Sequence, residues 1–217
     1  MNTPVQQLNP IMKVLKYAIL LGAVCTALAV QSAKADFVST LNVSNLNGQS
    51  GPFGTVNVSL LSQTATITFT ASGVYSFVDG SSAAVELNTD SFTEAFVSES
   101  PSNNFKQFAF DQQVDGWGQF DLAVDQKNSA VHLTSITFTV TNTSSTTTWL
   151  SADDVLAFNE QGFDAAAHIF TPNSGGLTGF AAEGEGTHTT PDGGATAALL
   201  GLGLAGLGGL RARFRRN

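Results

Sequence analysis

The stretch that decides the fold class is residues 64–70, TATITFT. Threonines alternate with small or apolar residues along it. Successive side chains of a strand point to opposite faces, so this pattern predicts a strand with one apolar face and one hydroxyl-bearing face. Residues 54–60, GTVNVSL, alternate in the same way just before it. We predict that the two strands form an antiparallel hairpin with Ser62 and Gln63 in the turn.

Further short runs of β-branched and aromatic residues recur along the chain, separated by breaks rich in Gly, Asn and Ser. They predict an all-β fold, an antiparallel β-sandwich, of which the jelly roll is one arrangement. In the longest run the apolar residues change parity, which predicts a β-bulge near Thr134 and Ser135. A helical turn is predicted at 151–158, because Ser151 and two aspartates suit a helix start. The other predicted strands are residues 74–78, 84–88, 92–97, 105–110, 119–124, 131–141, 165–170 and 177–182.

The N-terminal segment, residues 1–35, has the pattern of a secretory signal peptide. Lys13 and Lys16 precede an apolar run over residues 17–30. Small residues at Ala33 and Ala35 then predict cleavage before Asp36. Met12 begins a more ordinary signal peptide than Met1 does. Sec-type export machinery and a signal peptidase are the implied partners.

The C-terminal segment, residues 191–217, has the pattern of a membrane-halting tail. It begins with PDGGAT and continues into an apolar run that ends at residue 210. At 1.5 Å per residue this run covers about 24 Å as a helix, somewhat less than the ~30 Å hydrocarbon core. Basic residues stay on the cytoplasmic side, so the rest of the chain is predicted to lie outside the membrane. The run is closed by four arginines: Arg211, Arg213, Arg215 and Arg216.

This tail resembles the PEP-CTERM family of bacterial sorting signals, in the variant with a V-P-D-S-G-type box. The box residues here are Pro191, Asp192, Gly193, Gly194, Ala195 and Thr196, preceded by Thr190. Thr190 stands where the family usually has Val, and Gly193 where it usually has Ser. The resemblance implies processing near the box by an exosortase, in a host that makes extracellular polysaccharide. It covers 27 residues and leaves the role of the preceding domain open.

Charge is divided sharply between the two terminal segments and the rest of the chain. Between residues 36 and 190 there are two lysines, Lys106 and Lys127, against sixteen acidic residues, a net charge of −14. Such a surface repels phosphate backbones, which excludes nucleic acid as a partner. The only cysteine, Cys25, lies in the predicted signal peptide. We therefore expect residues 36–182 to form one domain without disulfides, followed by a flexible spacer at 183–190.

No pattern of catalytic residues is present, and we expect no enzymatic activity. The sequence lacks a G-x-S-x-G elbow and an H-E-x-x-H motif. Its histidines, His132, His168 and His188, have no spacing typical of a metal site. Glycoside hydrolysis needs two facing carboxylates. Glu94 with Glu99, or Asp121 with Glu160, supply pairs without distinguishing context.

Two kinds of binding site remain as hypotheses. Asp111, Asp115, Asp121 and Asp125 place carboxylates near predicted loops and make calcium the one candidate cofactor. Trp117 and Trp149 are candidates for glycan contact, because aromatic rings stack on sugar faces. The pattern GFDAAAH at residues 162–168 is similar to one in other exported proteins with this tail, and no chemistry attaches to it.

The sequence therefore predicts an exported protein, sorted by an exosortase, that passes through the inner membrane to the cell envelope, cell surface or extracellular matrix. There we expect a structural, adhesive or glycan-binding role, with extracellular polysaccharide as the implied ligand. One alternative is a secreted glycan-active enzyme similar to a glycoside hydrolase. Another is an unprocessed single-pass membrane protein that keeps its four C-terminal arginines.

Overall fold

The structure, a computed structural model, describes residues 36–183. The predicted signal helix within 1–35, the spacer residues 184–190 and the sorting signal with its membrane helix at 191–217 lie outside the described residues. Within residues 36–183, no helix is long and apolar enough to cross a bilayer.

The described part of the chain contains eleven strands and two short 3₁₀ helices. All strand pairs are antiparallel, as predicted. The helices are Ala152–Asp154 and Pro172–Ser174. The strands are β1 Phe37–Ser44, β2 Gly54–Leu61, β3 Thr64–Ala71, β4 Ser76–Phe77, β5 Ala83–Val85, β6 Phe92–Ser100, β7 Phe105–Val114, β8 Gly118–Gln126, β9 Ser135–Asn142, β10 Ala165–Thr171 and β11 Leu177–Glu183.

The strands form one sheet that is nearly closed into a barrel or sandwich. Their order is β6-β9-β3-β2-β1-β11-β10-β5-β8-β7, with β4 paired to β10. The two halves of this order face each other across the main core, where Phe69 of β3 meets Phe77 of β4 with ring centroids 6.2 Å apart. Phe108 of β7 likewise meets Phe138 of β9 at 6.1 Å. The predicted all-β, antiparallel fold is confirmed.

The hairpin of β2 and β3 forms as its alternation predicts. Ser62 takes a left-handed φ of 57° in the turn, and Leu61 pairs with Thr64. Ala65, Ile67 and Phe69 are fully buried. Burial of a large apolar side chain such as Ile67 or Phe69 stabilises the fold by about 1.5–3 kcal/mol. The threonines face outward and bond across to β9, as Thr64 does to Thr141 at 2.9 Å.

The predicted bulge near Thr134 and Ser135 is wrong. Strand β9 begins at Ser135, and the chain before it crosses to the other half of the sheet, where Leu133 bridges to Phe77. The change of parity therefore marks the start of β9, where the chain passes from one half of the sheet to the other. Bulges do occur elsewhere, for example between Phe96 and Ser98 in β6.

Two further points of local structure concern the turn at residues 151–158, which was predicted, and β1, which was not. The helical turn predicted at 151–158 is present as the 3₁₀ helix at Ala152–Asp154. The Asp154 carboxylate accepts the backbone N–H groups of Leu150 and Ser151, at 2.9 and 2.8 Å. Strand β1 had no prediction, although its burial alternates like that of β2.

The ends of the sheet, β6 and β7, lie beside each other and are joined by the short turn at residues 101–104. Phe96 of β6 stacks on Phe105 of β7 with ring centroids 4.2 Å apart. The Glu99 carboxylate accepts the backbone N–H of Phe105 at 2.9 Å and also that of Asn104. Aromatic contacts and one carboxylate thus draw the two edges of the sheet together.

A smaller apolar cluster covers the outer face of β5, β8, β10 and β11. It is built on Phe120 and on alanines such as Ala123 and Ala166, against which Trp117 and Phe163 pack. Alanine side chains are small, so the segment that precedes β10 can pack closely on this face of the sheet. This segment forms one wall of the pocket described next.

Candidate functional site

The candidate site is a pocket of about 280 Å³ at the end of the sheet, lined mainly by polar side chains. Three adjacent segments supply three of its four carboxyl groups. Glu86 follows β5, Asp121 lies in β8, and Asp111 lies in β7. The β7–β8 register pairs the residues on either side of Asp111 with those on either side of Asp121, so the two aspartates face each other across the strands.

Hydrogen bonds fix Glu86 and Asp121 relative to each other. The Asp121 backbone N–H donates to a Glu86 carboxylate oxygen at 3.2 Å. The Leu87 N–H donates to Asp121 Oδ2 at 2.9 Å. The Glu86 carboxylate thus accepts an N–H from β8, and the Asp121 carboxylate accepts one from the segment that follows β5. These two bonds hold the pair in place in the pocket. The remaining lining residues are Gln113, Gln119, Phe120, Asn159, Glu160 and Gln161.

The pKa of Glu86 is raised to about 7. Partial burial is the largest cause, and the charges of Asp121 and Asp111 add to it. The pKa of Asp121 is also raised, first by burial and further by the charge of Asp111. Neighbouring carboxylates that cannot all ionise at once keep a proton among them near neutral pH. The pocket can therefore donate and accept hydrogen bonds and can exchange a proton.

The opposite wall is held by Asn159, which is buried. Its side-chain nitrogen donates to the backbone oxygens of Trp117 and Gln119, at 2.9 and 3.1 Å. Its Oδ1 accepts the N–H groups of Gln161 and Phe163, both at 3.0 Å. Gly118 makes this packing possible, because a Cβ there would lie 1.9 Å from the Gln161 Oε1 atom and its φ is +93°.

The four aspartates proposed for calcium do not come together. Asp111 and Asp121 line the pocket. Asp115 lies in the turn between β7 and β8, where its backbone oxygen accepts the Asn45 side chain, and the Asp125 carboxylate accepts the Ser81 N–H at 2.8 Å. In the described range 36–183, no group of three or more His, Cys, Asp or Glu residues is arranged to hold a metal ion.

The tryptophans proposed for glycan contact are packed into the protein. Trp149 is 1 % exposed, and its indole N–H donates to the Asn88 backbone oxygen at 2.9 Å. The structure thus leaves it no surface for a ligand, so this expectation is corrected. Trp117 is half-buried and packs edge-on against Phe163, with ring centroids 4.9 Å apart.

The two described histidines also make packing contacts. His132 is half-buried and lies on Phe170 with ring centroids 3.8 Å apart. His168 Nδ1 contacts the Asp79 backbone oxygen, and its ring stacks on Phe180 at 4.5 Å. Of the carboxylate pairs considered from the sequence, Asp121 and Glu160 do line one pocket. Glu86 was missed, because no local pattern links it to Asp121, which lies 35 positions further along the chain.

The comparisons with known proteins concern the end of the chain. Residues 191–214 match the family model of the VPDSG-CTERM motif. The chain ends in a PEP-CTERM-type sorting tail. The rest of the chain matches no family model. The searches of curated proteins and of solved structures each found no match.

The PEP-CTERM-type sorting tail confirms the recognition made from the box at residues 191–196. It suggests an exported, exosortase-sorted protein of the cell envelope. The signal-cleavage residues Ala33 and Ala35, the box and the four terminal arginines lie outside the described residues. The tail therefore suggests the cell envelope as the destination, while the pocket gathers four carboxyl groups on the domain itself.

Proposed function

We propose that this is an exosortase-processed protein of the bacterial surface or extracellular matrix, whose β-domain is non-enzymatic and has a structural, adhesive or glycan-binding role. The match of residues 191–214 to a sorting-tail model carries the proposal. Residues 1–35 direct export, the apolar run before Arg211 holds the chain transiently in the inner membrane, and processing near Pro191 and Asp192 anchors or releases the domain.

The acidic pocket supports the glycan-binding form of this role. Its walls combine carboxyl groups with the side-chain amides of Gln113, Gln119 and Gln161. Amides and carboxylates both pair with hydroxyl groups, and sugars present many hydroxyls in a small volume. Extracellular polysaccharide is the proposed ligand, and calcium, which prefers oxygen ligands, is the proposed cation.

The intact mass of the protein, from cell-envelope and medium fractions of its host, tests the sorting step. We expect a chain that begins at Asp36 and lacks residues 199–217. A double change, Pro191→Ala with Asp192→Ala, should leave the tail in place. Thr190→Val restores the usual family residue and serves as the matched control that should still be processed. A wild-type chain that ends at Asn217, found only in the inner membrane, would support the single-pass alternative and overturn the proposal.

A second candidate function is glycan hydrolysis, and one observation favours it. Glu86, with its pKa raised to about 7, lies beside Asp121 and Asp111, and a general acid paired with an ionised carboxylate is what such hydrolysis needs. New reducing ends released from the host's polysaccharide, and lost in both Glu86→Gln and Asp121→Asn, would establish the enzyme. Retention of the polysaccharide without product would support binding alone.

A further inference from the structure

Asp164 and Glu183 form a pair of carboxyl groups sealed in the interior. Asp164 is 0 % exposed and Glu183 is 1 % exposed. Asp164 immediately precedes β10, and Glu183 is the last residue of β11, although the sequence suggested that it starts the spacer. The two side chains are close enough to hydrogen-bond to each other. Neither belongs to the acidic pocket.

The pair lies on the face of the sheet that points into the main core. Phe37 and Leu41 of β1 belong to that core, and Ser39 shares their parity. The Ser39 hydroxyl donates to Asp164 Oδ1 at 3.5 Å. Glu183 shares parity with Ala181, which also belongs to that core. The carboxyl groups therefore replace apolar side chains at a place where β1, β10 and β11 run side by side.

Three oxygens of the pair have no ordinary donor. Asp164 Oδ2 and both Glu183 carboxylate oxygens are buried, and no N–H or hydroxyl group of the described residues donates to them. Among the described residues, Glu183 is the only charged group that acts on Asp164. Glu86 donates its backbone N–H to the Asp164 backbone oxygen, and its side chain is bonded to Asp121. His168, on β10, is in contact with the Asp79 backbone oxygen.

Two adjacent buried carboxylates without a cation repel each other and lack solvation. A single shared proton removes one charge and supplies the missing donor. The pKa of Asp164 is raised to about 9 by burial, by its hydrogen bond with Glu183 and by the charge of Glu183. The folded protein thus keeps a proton that an unfolded aspartate would have released above about pH 4.

We propose that the Asp164–Glu183 pair is a proton-dependent lock on β11: with one proton shared between the carboxyls the strand stays between β1 and β10, and loss of that proton to solvent opens it. Strand β11 is the element that leads into the sorting tail, whose box begins eight residues after Glu183. The proposal does not depend on the ligand of the acidic pocket, nor on whether that pocket is catalytic.

The sign of the effect follows from linkage. The pKa of Asp164 is raised on folding, so its contribution to stability is complete below its unfolded value of about 4 and is lost as the pH rises through about 9. Over that pH interval the open state binds one proton fewer than the closed state. The opening constant therefore rises up to about tenfold per pH unit.

Amide hydrogen exchange of the full-length chain in mild detergent, followed by mass spectrometry between about pH 6 and 9 and corrected for the intrinsic rate, measures this opening. We expect exchange in β11 to accelerate by up to about tenfold per pH unit, while β3 amides that exchange through local openings show no such excess. A β11 whose corrected exchange does not change with pH would overturn the proposal without any variant.

Two variants test the pair itself. In Asp164→Asn the amide donates to Glu183 without a shared proton, so the excess pH dependence should be lost. In Glu183→Gln burial alone still raises the pKa of Asp164, so the excess should become smaller. Glu94→Gln, the same change on β6, should behave as the wild type. Should Glu183→Gln keep the wild-type slope, the lock does not exist. Should calcium or its chelation by EDTA alter β11 exchange in the wild type but not in Glu183→Gln, a bound cation, and not a proton, joins the carboxyls.

Discussion

The acidic pocket and the buried pair use the same two residue types in opposite surroundings. Glu86 and Asp121 are partly exposed at the mouth of a pocket, and each accepts a backbone N–H. Asp164 and Glu183 are sealed in the core, with three oxygens to which no N–H or hydroxyl group of the described residues donates. Burial raises the carboxyl pKa in both regions. What differs is whether water, a cation or a ligand can reach the charge.

This difference separates two uses of a carboxyl group. In the open pocket the raised pKa leaves a proton available to a ligand, so the energy of partial burial can serve binding or chemistry. In the sealed pair the proton is available only to the partner carboxyl. The raised pKa there contributes to the free energy of unfolding and not to binding or chemistry. A pKa raised by burial therefore points to function only where the group also faces a cavity.

The largest difference between the regions should appear on truncation to alanine. Glu183→Ala leaves Asp164 without its partner and opens a void, and we expect the free energy of unfolding to fall by about 3 kcal/mol. Glu86→Ala removes a partly exposed group that its neighbours repel, so the change should stay within ~1 kcal/mol. Urea unfolding of both variants at neutral pH checks this. Equal losses would mean that the pocket carboxyls are as structural as the buried pair.

A smaller effect should appear in the pH dependence of stability. The pKa of Glu86 is raised to about 7, so its contribution is complete below its unfolded value of about 4.3 and is lost as the pH rises through about 7. We expect Glu86→Gln to flatten the dependence between about pH 5 and 7, by less than the tenfold-per-unit limit because solvent screens the group. Thermal unfolding at several pH values measures it. An unchanged profile would contradict the raised pKa.

The smallest effect should come from added calcium. The pocket is open, so calcium near Asp111 and Asp121 should lower the pKa of Glu86 by a few tenths of a unit, the order expected for a solvated site. Asp164 should not respond, because no path leads to it while β11 stays in the sheet. Carboxyl carbon shifts in a ¹³C-labelled sample report both groups separately. A calcium-dependent shift at Asp164 with none at Glu86 would mean that calcium reaches the buried pair and not the open pocket.

Local pattern was enough to predict much of the sheet. The alternation in residues 64–70 places Ile67 and Phe69 in the core and the threonines outside, as the structure has them. The reason is that a strand with one apolar face has only one register that buries it. The sorting tail was equally readable, because its parts follow one another at the chain end.

Neither carboxyl region could be predicted from a local sequence pattern, because the residues of each come from distant segments of the chain. Ser39 and Asp164 meet across 125 positions of sequence, and Glu86 reaches Asp121 across 35. The sequence suggested Asp111, Asp115, Asp121 and Asp125 by their spacing, but strand pairing decides which carboxylates share a pocket. Trp149 was misjudged for a related reason, since an aromatic residue in a Thr-rich loop gives no sign that it folds back onto the core.

The place of β11 in the sheet has a mechanical consequence. Strand β11 is hydrogen-bonded to β1 on one side and to β10 on the other. A domain tethered through residues beyond Glu183 would transmit drag from moving fluid into this strand first. Pulling it out would require two ladders to shear at the same time, whereas a strand at the rim of the sheet would peel away one bond after another. Strand β11 is therefore placed where a pulled tether meets more resistance than it would at the rim of the sheet.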